Sequence, residues 1–495
     1  GKRVACVGAG PASLTIANDL MPLGYDVTVF ERYDKPGGLM RRSIPAFRLP
    51  EATLDAECQA IRGMGVDVRY DTPVESMRGL LEQGFDAVFV GSGAPRGKEL
   101  DLPGRWDETG ESRIHVGLDW LQSIAFGHVD VIGKQVLIIG VGNTAMDCCR
   151  SSLRLGGTQV TVVARRPRAF FKASPWELED AEEEGVEILV NHAPRRFVVE
   201  DGRLTGMELD VLEWDEKATA SRSVGSVVLP CTDVILAIGQ ENAFPWIERD
   251  LGLELGDYEL PVVDETTMES TLPGVFFGGD AAWGPRNIIW AVAHGHAAAL
   301  SIHLHCQALP LTERPETGMR LVSQKMGLSQ WSYANDYAGT GRQRMDTADL
   351  TERFARLDRE VELGFPVDKA VHEAARCLNC DVQTVFTASL CIECDACIDV
   401  CPVQCLTMTA NGDEADLSVR LSAPRLDPSQ GLLVSEPLQQ TGRVMVKDEN
   451  LCVHCGLCAE RCPTGAWDMQ RMELTLPYAG GPVPVSISPR PKVLS

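Results

Sequence analysis

The stretch RVACVGAGPASLTIANDLMPLGYDVTVFER, residues 3–32, decides the fold of the first part of the chain. It predicts a β-branched strand, a glycine-rich turn, a helix and a second strand that ends in an acid. Glycines in the turn let backbone N–H groups approach a pyrophosphate at the helix N-terminus, and the acid accepts hydrogen bonds from an adenosine ribose. The binding residues predicted here are Gly8, Gly10, Pro11, Ser13 at the third small position, and Glu31.

The stretch GKQVLIIGVGNTAMDCCRSSLRLGGTQVTVVARR, residues 133–166, repeats this order of elements. Its second strand ends in Arg165 and Arg166 instead of an acid. Guanidinium groups bind a 2′-phosphate that a carboxylate would repel, so the pattern favours NADP(H) over NAD(H). The alternative is that both arginines are surface charges. The predicted binding residues are Gly140, Gly142, Asn143, Thr144, Arg165 and Arg166, with Ala145 as the third small residue.

The composition is that of a globular protein with an acidic surface. Hydrophobic residues make up 44% of the 495 residues, and no apolar run approaches the roughly 20 residues that span a bilayer. The formal net charge is −24, from 46 Lys and Arg against 70 Asp and Glu, which argues against the basic stripe of a nucleic-acid-binding protein. We expect a cytoplasmic protein with neither a nucleic-acid nor a membrane partner.

Two later stretches return to the first nucleotide unit. TDVILAIGQ, residues 232–240, contains Gly239, and TLPGVFFGGDAAWGPRNIIWAVAHGHAAA, residues 271–299, predicts a strand that runs into Gly279 and Asp280. A helix follows, and we expect its start, near Ile288, to face a flavin. The alternative role of Asp280 is to cap a turn.

These motifs together resemble the small subunit of glutamate synthase and related flavoproteins with two dinucleotide-binding domains. The resemblance covers about residues 1–307 and rests on GAGPAS, KPGGLMRRSIPAFRLP (35–50), GVGNTAMD (140–147), AIGQ and PGVFFGGD (273–280). It implies that the first unit holds FAD and that the second, inserted within it, holds NAD(P)H. It also implies flavin contacts for Gly38, Leu39 and Asp280. Ala164 and FKASPWE (171–177) depart from the family pattern.

Two cysteine runs echo each other, LCIECDACIDVCPVQCL (390–406) and LCVHCGLCAERCPTGAW (451–467). Each contains C-x2-C-x2-C-x3-C-P, in which three thiolates hold one 4Fe-4S cluster and the fourth reaches the other cluster. Zinc, the alternative, does not call for this doubled pattern. The first predicted ligand set is Cys391, Cys394, Cys397 and Cys462, and the second is Cys452, Cys455, Cys458 and Cys401.

The remaining cysteines and histidines fall into smaller groups. Cys377 and Cys380 have ligand spacing but lack two partners, and Cys405 is surplus beside a predicted ligand. His454, between two predicted ligands, is expected to be a spacer that tunes potential. We expect packing or surface roles for the other residues, namely Cys6, Cys58, Cys148, Cys149, Cys231, Cys306, His294, His296, His303 and His305.

The predicted fold class is α/β, with two nested Rossmann-like dinucleotide-binding domains for FAD and NAD(P) and a following α+β bacterial-type ferredoxin domain. The segment 346–364 has helical spacing within a connector. The predicted boundaries are 1–115 (FAD domain, first part), 116–240 (NAD(P) domain), 241–307 (FAD domain, second part), 308–380 (connector), 381–475 (ferredoxin with two 4Fe-4S clusters) and 476–495 (Pro-rich tail).

This combination of sites predicts an NAD(P)H:ferredoxin or acceptor oxidoreductase. A nicotinamide transfers hydride, a cluster accepts one electron, and a flavin connects the two, so no catalytic acid or base is expected. Flavoproteins with a C-terminal ferredoxin resemble electron-transfer subunits of 2-oxoacid:ferredoxin oxidoreductases, which favours a protein partner in a hetero-oligomer. The alternative partners are dissimilatory sulfite reductase and a glutamate synthase large subunit. A third alternative is a passive electron wire with a vestigial nicotinamide site.

Overall fold

The computed structural model describes residues 1–105, 113–215, 217–314, 317–323, 341–377 and 381–485. The chain forms two compact units. The first comprises Gly1–Arg314, Thr347–Leu363 and Tyr478–Gly481, and the second takes the described residues of Pro315–Asp346, Gly364–Pro477 and Pro482–Ser495.

The first unit begins with a parallel sheet of five strands, as the opening motif predicts. The strands are rich in valine, and all but the edge strand Asp67–Arg69 are buried on both faces, which is typical of a parallel sheet covered by helices. Their spatial order is Val275–Phe277, Ala87–Val90, Arg3–Val7, Asp26–Phe30 and Asp67–Arg69. The helices of this region are Pro11–Leu20, Leu39–Arg42, Glu51–Arg62, Met77–Leu81, Asp280–Trp283 and Ile288–Cys306.

A second parallel sheet lies between two strands of the first in the sequence, so the domains are nested as predicted. Two short segments, Arg96–Gly97 and Gln240–Glu241, pair with each other where the chain leaves and re-enters the first domain. The second sheet has the order Ile114–Val116, Asp233–Leu236, Gln135–Ile139, Gln159–Val163 and Glu187–Leu189. Its helices are Gly117–Ala125, Asn143–Arg154 and Pro175–Glu183.

An antiparallel sheet that the sequence motifs do not indicate extends the inserted domain. It consists of His192–Glu200, Arg203–Trp214 and Ser221–Pro230. Its inward residues Phe197, Met207 and Leu209 pack with strand residues of the second parallel sheet in one buried cluster. The sheet therefore shares the core of the inserted domain.

The second unit contains two antiparallel sheets around the cysteine runs. One has the order Gly318–Ser323, Trp467–Tyr478 and Val382–Phe386, and Gly481–Val485 also pairs with its long strand. The other has the order Leu406–Ala410, Arg443–Lys447 and Leu433–Val434. The helices of this unit are Val367–Ala374, Ala396–Asp399, Glu414–Ser418 and Leu457–Arg461.

Three further observations bear on the sequence predictions. The helical spacing of 346–364 corresponds to only one short helix, Leu350–Arg353. Five cysteines predicted to be core residues are buried, and Cys306 is half-buried. Within the described ranges, no helix is both long enough and apolar enough to cross a membrane.

The helices Pro11–Leu20 and Ile288–Cys306 approach each other so closely that a glycine is required between them. A Cβ atom on Gly295 would lie 2.7 Å from the backbone oxygen of Ala12 and 2.7 Å from Cβ of Thr15. These distances are below any ordinary van der Waals contact, and one of the atoms belongs to the backbone. The glycine therefore fixes the separation of the two helices.

We expect Gly295→Ala to destabilise the protein by about 1–3 kcal/mol, because overpacking forces the two helices apart. The matched control is Gly79→Ala in the helix Met77–Leu81, where the new Cβ would lie 3.4 Å from Oγ of Ser76. Differential scanning calorimetry should show a lower transition temperature for Gly295→Ala alone. Equal effects of the two substitutions would contradict the packing argument.

Candidate functional site

The first glycine turn and the predicted flavin-contact loop lie side by side. Gly8 has φ 88°, and Gly10 caps the helix Pro11–Leu20 in an extended conformation. A Cβ atom on Gly38 would lie 3.0 Å from Cα of Gly10, and the N–H of Gly37 donates to the backbone oxygen of Ala9 at 2.8 Å. The loop that leads into Leu39 therefore borders the predicted pyrophosphate site.

Glu31 is buried beneath this turn and is anchored at both carboxylate oxygens. Oε2 accepts a hydrogen bond from the N–H of Ala9 at 2.7 Å, and Oε1 accepts one from the N–H of Tyr33 at 3.1 Å. Each oxygen has a further lone pair for a ribose hydroxyl. Ser13 is fully buried, and a Cβ atom on Gly91 would lie 2.4 Å from its Oγ. The third position of the motif therefore requires a small residue.

Gly279 and Asp280 belong to the second part of the first domain, and Gly279 lies beside the helix Pro11–Leu20. A Cβ atom on Gly279 would lie 3.5 Å from Cβ of Ala12. Oδ1 of Asp280 accepts a hydrogen bond from the N–H of Arg286 at 2.9 Å, so the carboxylate has the turn-capping role weighed from the sequence. Burial raises the pKa of Asp280 to about 6. Ile288 begins the following helix and is 39% exposed.

Two residues that were not predicted as site residues form hydrogen bonds with the backbone around Gly279 and Asp280. Nδ2 of Asn242 donates to the backbone oxygens of Asp280 at 2.9 Å and Ala281 at 3.0 Å. Nδ1 of His294 accepts from the N–H of Gly279 at 3.1 Å, so a neutral imidazole carries its proton on Nε2. Burial lowers the pKa of His294, which favours this neutral form. The other three histidines of the helix contact separate neighbours, namely Asp19 (His296), Tyr25 (His303) and Phe276 (His305).

Several buried polar atoms near these residues, among them Oγ of Ser13, lack a hydrogen-bond partner among the described residues and suit a ligand with polar groups. The hydroxyl of Ser92 and Oδ1 of Asn242 are buried and have no hydrogen-bond partner among the described residues. Cα of Ser92 would lie 3.2 Å from a Cβ atom on Gly8, and Asn242 contacts the backbone of Asp280. A ligand that carries hydroxyl and amide groups along this path would satisfy both atoms.

The second glycine turn repeats the geometry of the first. Gly140 has φ 126°, and a Cβ atom there would lie 2.2 Å from the backbone oxygen of Ala237. Gly142 caps the helix Asn143–Arg154, and a Cβ atom on it would meet nothing within 4 Å, so the turn is open to a ligand. Thr144 lies in the first helical turn and is half-buried. Gly239 has φ 116° and follows the strand Asp233–Leu236.

The paired arginines are exposed at the end of the strand Gln159–Val163. Nε1 of Trp214 donates to the backbone oxygen of Arg165 at 3.0 Å, and its ring centroid lies 5.7 Å from the guanidinium carbon of Arg166. Among the described residues, no carboxylate is within ion-pair distance of either arginine. Two guanidiniums beside an indole ring suit a phosphorylated adenosine. Trp214 comes from the antiparallel sheet and was missed because its strand lies about 50 residues beyond the arginines.

A buried ion network ties the loop 35–50 to the inserted domain. Nη1 of Arg48 lies 2.7 Å from Oδ1 of Asp147, and its Nη2 contacts Glu177. Burial raises the pKa of Asp147 to about 7, although the nearby Arg48 opposes this shift. Arg150 lies 3.5 Å from Glu177 and 2.9 Å from Glu184. One arginine of the first domain therefore compensates two acids of the second.

Electrostatic interactions link cysteines of the two runs within each of the two predicted ligand sets. Cys391 interacts electrostatically with Cys394 and Cys462, and Cys397 with Cys391 and Cys462. In the other group, Cys455 interacts with Cys452 and Cys401. Cys458 interacts with Cys452 and Cys455. Four thiols around each of two positions fit a pair of cubane clusters.

The surroundings of the second group differ from those of the first. Cys405 is buried with its Sγ 3.4 Å from Sγ of Cys401. The hydrogen bond from this thiol lowers the pKa of Cys401 to about 5. Nδ1 of His454 contacts the backbone oxygen of Val382 at 2.8 Å, and its Nε2 lies 3.1 Å from Glu449. Lys447 is buried, and its Nζ lies 2.6 Å from the same carboxylate.

The additional ligand pair predicted from the sequence is only partly described. Cys377 is exposed, and Cys380 lies outside the described residues. Within the described ranges, no group of three or more His, Cys, Asp and Glu side chains has the spacing that holds a single metal ion. A cubane is larger than one ion, so its thiolates stand further apart than the ligands of zinc.

Comparison with protein families assigns both units of the chain. Residues 2–296 match the pyridine nucleotide-disulphide oxidoreductase family, and residues 390–466 match the 4Fe-4S dicluster domain. The first match covers more than half of the chain, so the protein belongs to the pyridine nucleotide-disulphide oxidoreductase family. The predicted fold class and the predicted membership of an oxidoreductase family are confirmed, and the two matches imply FAD, NAD(P)H and iron–sulfur clusters.

Curated relatives are subunits of larger oxidoreductases. The chain is 35% identical to the NADP(+)-dependent formate dehydrogenase subunit beta of Moorella thermoacetica, over 77% of this chain and 54% of that one. It is 32% identical to the NADPH-Fe(3+) oxidoreductase subunit beta of Geobacter sulfurreducens, over 77% and 61%. It is also 32% identical to the glutamate synthase [NADPH] small chain of Azospirillum brasilense, over 62% and 67%. The resemblance stated from the motifs is thus confirmed, while the chain spans little more than half of the first two relatives.

Solved structures support the fold of the first unit. FprA of Mycobacterium tuberculosis in complex with NADPH is 17% identical, with a TM-score of 0.51, and the match covers 62% of this chain and 85% of that one. At this level of identity the similarity shows the fold alone.

We expect Arg48→Met to destabilise the first unit by about 3 kcal/mol at pH 8, because the buried Asp147 loses its ion-pair partner and Glu177 keeps only Arg150. The loss should shrink toward pH 5. Asp147 already has a raised pKa of about 7, and the substitution raises it further, so stability falls more steeply as pH rises through that range. Urea unfolding at several pH values measures this.

Arg78→Met is the matched control, because Arg78 pairs with Asp250 at the surface. It should change stability little at any pH. A pH-independent loss in Arg48→Met would contradict the role assigned to the buried acids.

Proposed function

We propose that this chain is the electron-transfer subunit of a larger oxidoreductase and binds FAD, NADP(H) and two 4Fe-4S clusters. When bound, a flavin can exchange a hydride, which carries two electrons, with a nicotinamide and single electrons with iron–sulfur clusters. The observation that carries the proposal is the presence, in one chain, of two glycine turns with different strand-end charges and two crossed groups of four cysteines.

The first turn is proposed to hold FAD. Backbone N–H groups at the start of the helix Pro11–Leu20 face the pyrophosphate, where the helix dipole favours negative charge. Glu31 receives the ribose hydroxyls, and Asp280 with Asn242 receives the polyol chain. The neutral His294 orients the N–H of Gly279. The proposed FAD contacts are Gly8, Gly10, Pro11, Ser13, Glu31, Gly38, Leu39, Gly239, Gly279, Asp280 and Ile288.

The second turn is proposed to hold NADP(H). The open N-cap at Gly142 and the start of the following helix, Asn143 and Thr144, receive the pyrophosphate. Arg165 and Arg166 bind the 2′-phosphate, which their lack of a described carboxylate partner supports. Oδ1 of Asn143 accepts from the N–H of Ser174 at 2.9 Å, so the divergent segment FKASPWE is held against this turn.

The cluster ligands are proposed to be the two crossed groups of four cysteines. Thiolates coordinate iron, and the chain's contribution is to fix their positions and the charges around them. Cys391, Cys394, Cys397 and Cys462 form one proposed set, and Cys452, Cys455, Cys458 and Cys401 form the other.

The partner is proposed to be a catalytic oxidoreductase subunit in a hetero-oligomer. The first relatives are named as beta subunits, which supports this class of partner. We keep a 2-oxoacid:ferredoxin oxidoreductase as the proposed partner, on the resemblance of residues 373–386 and the following ferredoxin to such subunits. The similarity to a formate dehydrogenase beta subunit favours a formate-oxidising partner as the second candidate.

An anaerobic titration with NADPH and, separately, NADH tests the proposed cofactor sequence. We expect NADPH to bleach the flavin at a lower concentration than NADH, followed by cluster signals in low-temperature EPR. If both nucleotides leave the flavin oxidised while dithionite reduces the clusters, the passive electron wire becomes the better interpretation.

We expect the double substitution Arg165→Ser and Arg166→Ser to weaken NADPH binding at least tenfold, because each charged hydrogen bond contributes about 1.5–3 kcal/mol. NADH binding should change little. The control is Arg168→Ser, a nearby exposed arginine that already pairs with Glu182. Equal loss for both nucleotides would contradict recognition of the 2′-phosphate and favour the interpretation of the arginines as surface charges.

A further inference from the structure

Cys405 stands in the second cysteine group without belonging to the ligand pattern. Its Sγ lies 3.4 Å from Sγ of Cys401, and the residue is 4% exposed. When the two runs are aligned, Cys401 corresponds to Cys462 and Cys405 corresponds to Ala466. The first run therefore contains a fifth cysteine, whereas the second run has an alanine at the corresponding position.

The thiol of Cys405 lies on the wall of the cavity that the second group encloses. The cavity is lined by Cys401, Cys405, Cys452, Cys455 and Cys458, together with Thr384. Besides Cys401, the thiol contacts the thiol of Cys452, which is another proposed ligand of the same set. It thus faces two sulfurs of one cluster and none of the other.

A purely structural role would explain why Cys405 is buried, but it would not explain why its thiol lies beside the sulfurs of two proposed ligands. The side chain does pack with Leu406, Met445 and Trp467 in a small core. A buried alanine, Ala466, fills the corresponding position of the other run. A thiol adds to that role one weak donor, aimed at the sulfur of a ligand.

We propose that Cys405 is a positioning residue whose S–H donates a hydrogen bond to the thiolate of Cys401 and raises the reduction potential of the cluster held by Cys401, Cys452, Cys455 and Cys458. A hydrogen bond to a ligand sulfur stabilises the more negative, reduced form of a cluster. The inference rests on the proposed function because it requires both clusters.

Charged side chains lie beside both cysteine groups and are paired with opposite charges in each. Lys447 is buried on the side of the second group, where its Nζ donates to the backbone oxygen of Thr384 at 3.2 Å. Oγ1 of Thr384 lies 4.0 Å from Sγ of Cys452. The first group has Glu393 between two of its cysteines, although Arg443 lies 3.3 Å from that carboxylate. Lys447 also lies 2.6 Å from Glu449, so charges are paired beside both groups, and the thiol of Cys405 remains the difference that bears on the second cluster.

The test is an EPR-monitored redox titration of the full chain carrying Cys405→Ala, Cys405→Val or Cys405→Ser. At a fixed potential, Cys405→Ala and Cys405→Val should each lower the reduced-to-oxidised ratio of one cluster by two- to tenfold, as expected for one hydrogen bond. That change is about 20–60 mV at 59 mV per tenfold. The other cluster should stay unchanged, and Cys405→Ser should keep much of the wild-type ratio because its hydroxyl donates.

Each alternative outcome has a distinct meaning. Valine preserves the side-chain volume, so it decides the question if the alanine variant folds poorly. Unchanged potentials, equal shifts of both clusters, or loss of one cluster from both non-donor variants would overturn the inference. Iron and sulfide analysis of the wild-type chain separates this result from failure of the proposed function, because fewer than two 4Fe-4S clusters would refute the latter directly.

Discussion

The first unit depends on close backbone contact around one helix, Pro11–Leu20. Three segments distant in sequence meet at its N-terminal half, through Gly38 beside Gly10, Gly279 beside Ala12, and Gly295 beside Thr15. A Cβ atom on Gly38 or Gly295 would lie 3.0 Å or less from the helix, and one on Gly279 would lie in ordinary van der Waals contact with it. The contact between Gly38 and Gly10 lies at the start of the helix, where backbone N–H groups and the helix dipole favour a phosphate, so one of these packing contacts borders the proposed pyrophosphate site.

The sequence predicts those parts of the fold and site that local chemistry determines. Both strand–turn–helix units, their nesting, and the crossed arrangement of Cys462 with Cys391 follow from spacing alone. Contacts across long separations do not. Trp214 reaches the paired arginines from an antiparallel sheet without a motif, and Arg48 meets Glu177 from 129 residues away. Asn242 and His294 hold the backbone of Gly279 and Asp280 through hydrogen bonds that no spacing rule predicts.

Electrostatics distinguishes the sites more than the fold does. The two nucleotide turns share one geometry, yet a buried carboxylate ends one second strand and exposed guanidiniums end the other. The two cysteine groups likewise share one pattern but differ in their neighbours, with the thiol of Cys405 and the ion pair of Lys447 and Glu449 beside one, and the ion pair of Arg443 and Glu393 beside the other. Repeated backbone units thus acquire different preferences from a few side chains placed at equivalent positions.

The pairing of Arg96–Gly97 with Gln240–Glu241 places the exit and the return of the inserted domain side by side. The inserted sheet is contiguous in the chain, whereas the first sheet must recruit its last strand, Val275–Phe277, across 185 residues from Ala87–Val90. On the ribosome, the inserted domain can therefore be complete while the apolar edge of Ala87–Val90 still lacks its neighbour. Newly made chains spend that interval with an unpaired strand edge, the state in which chaperone binding or aggregation begins.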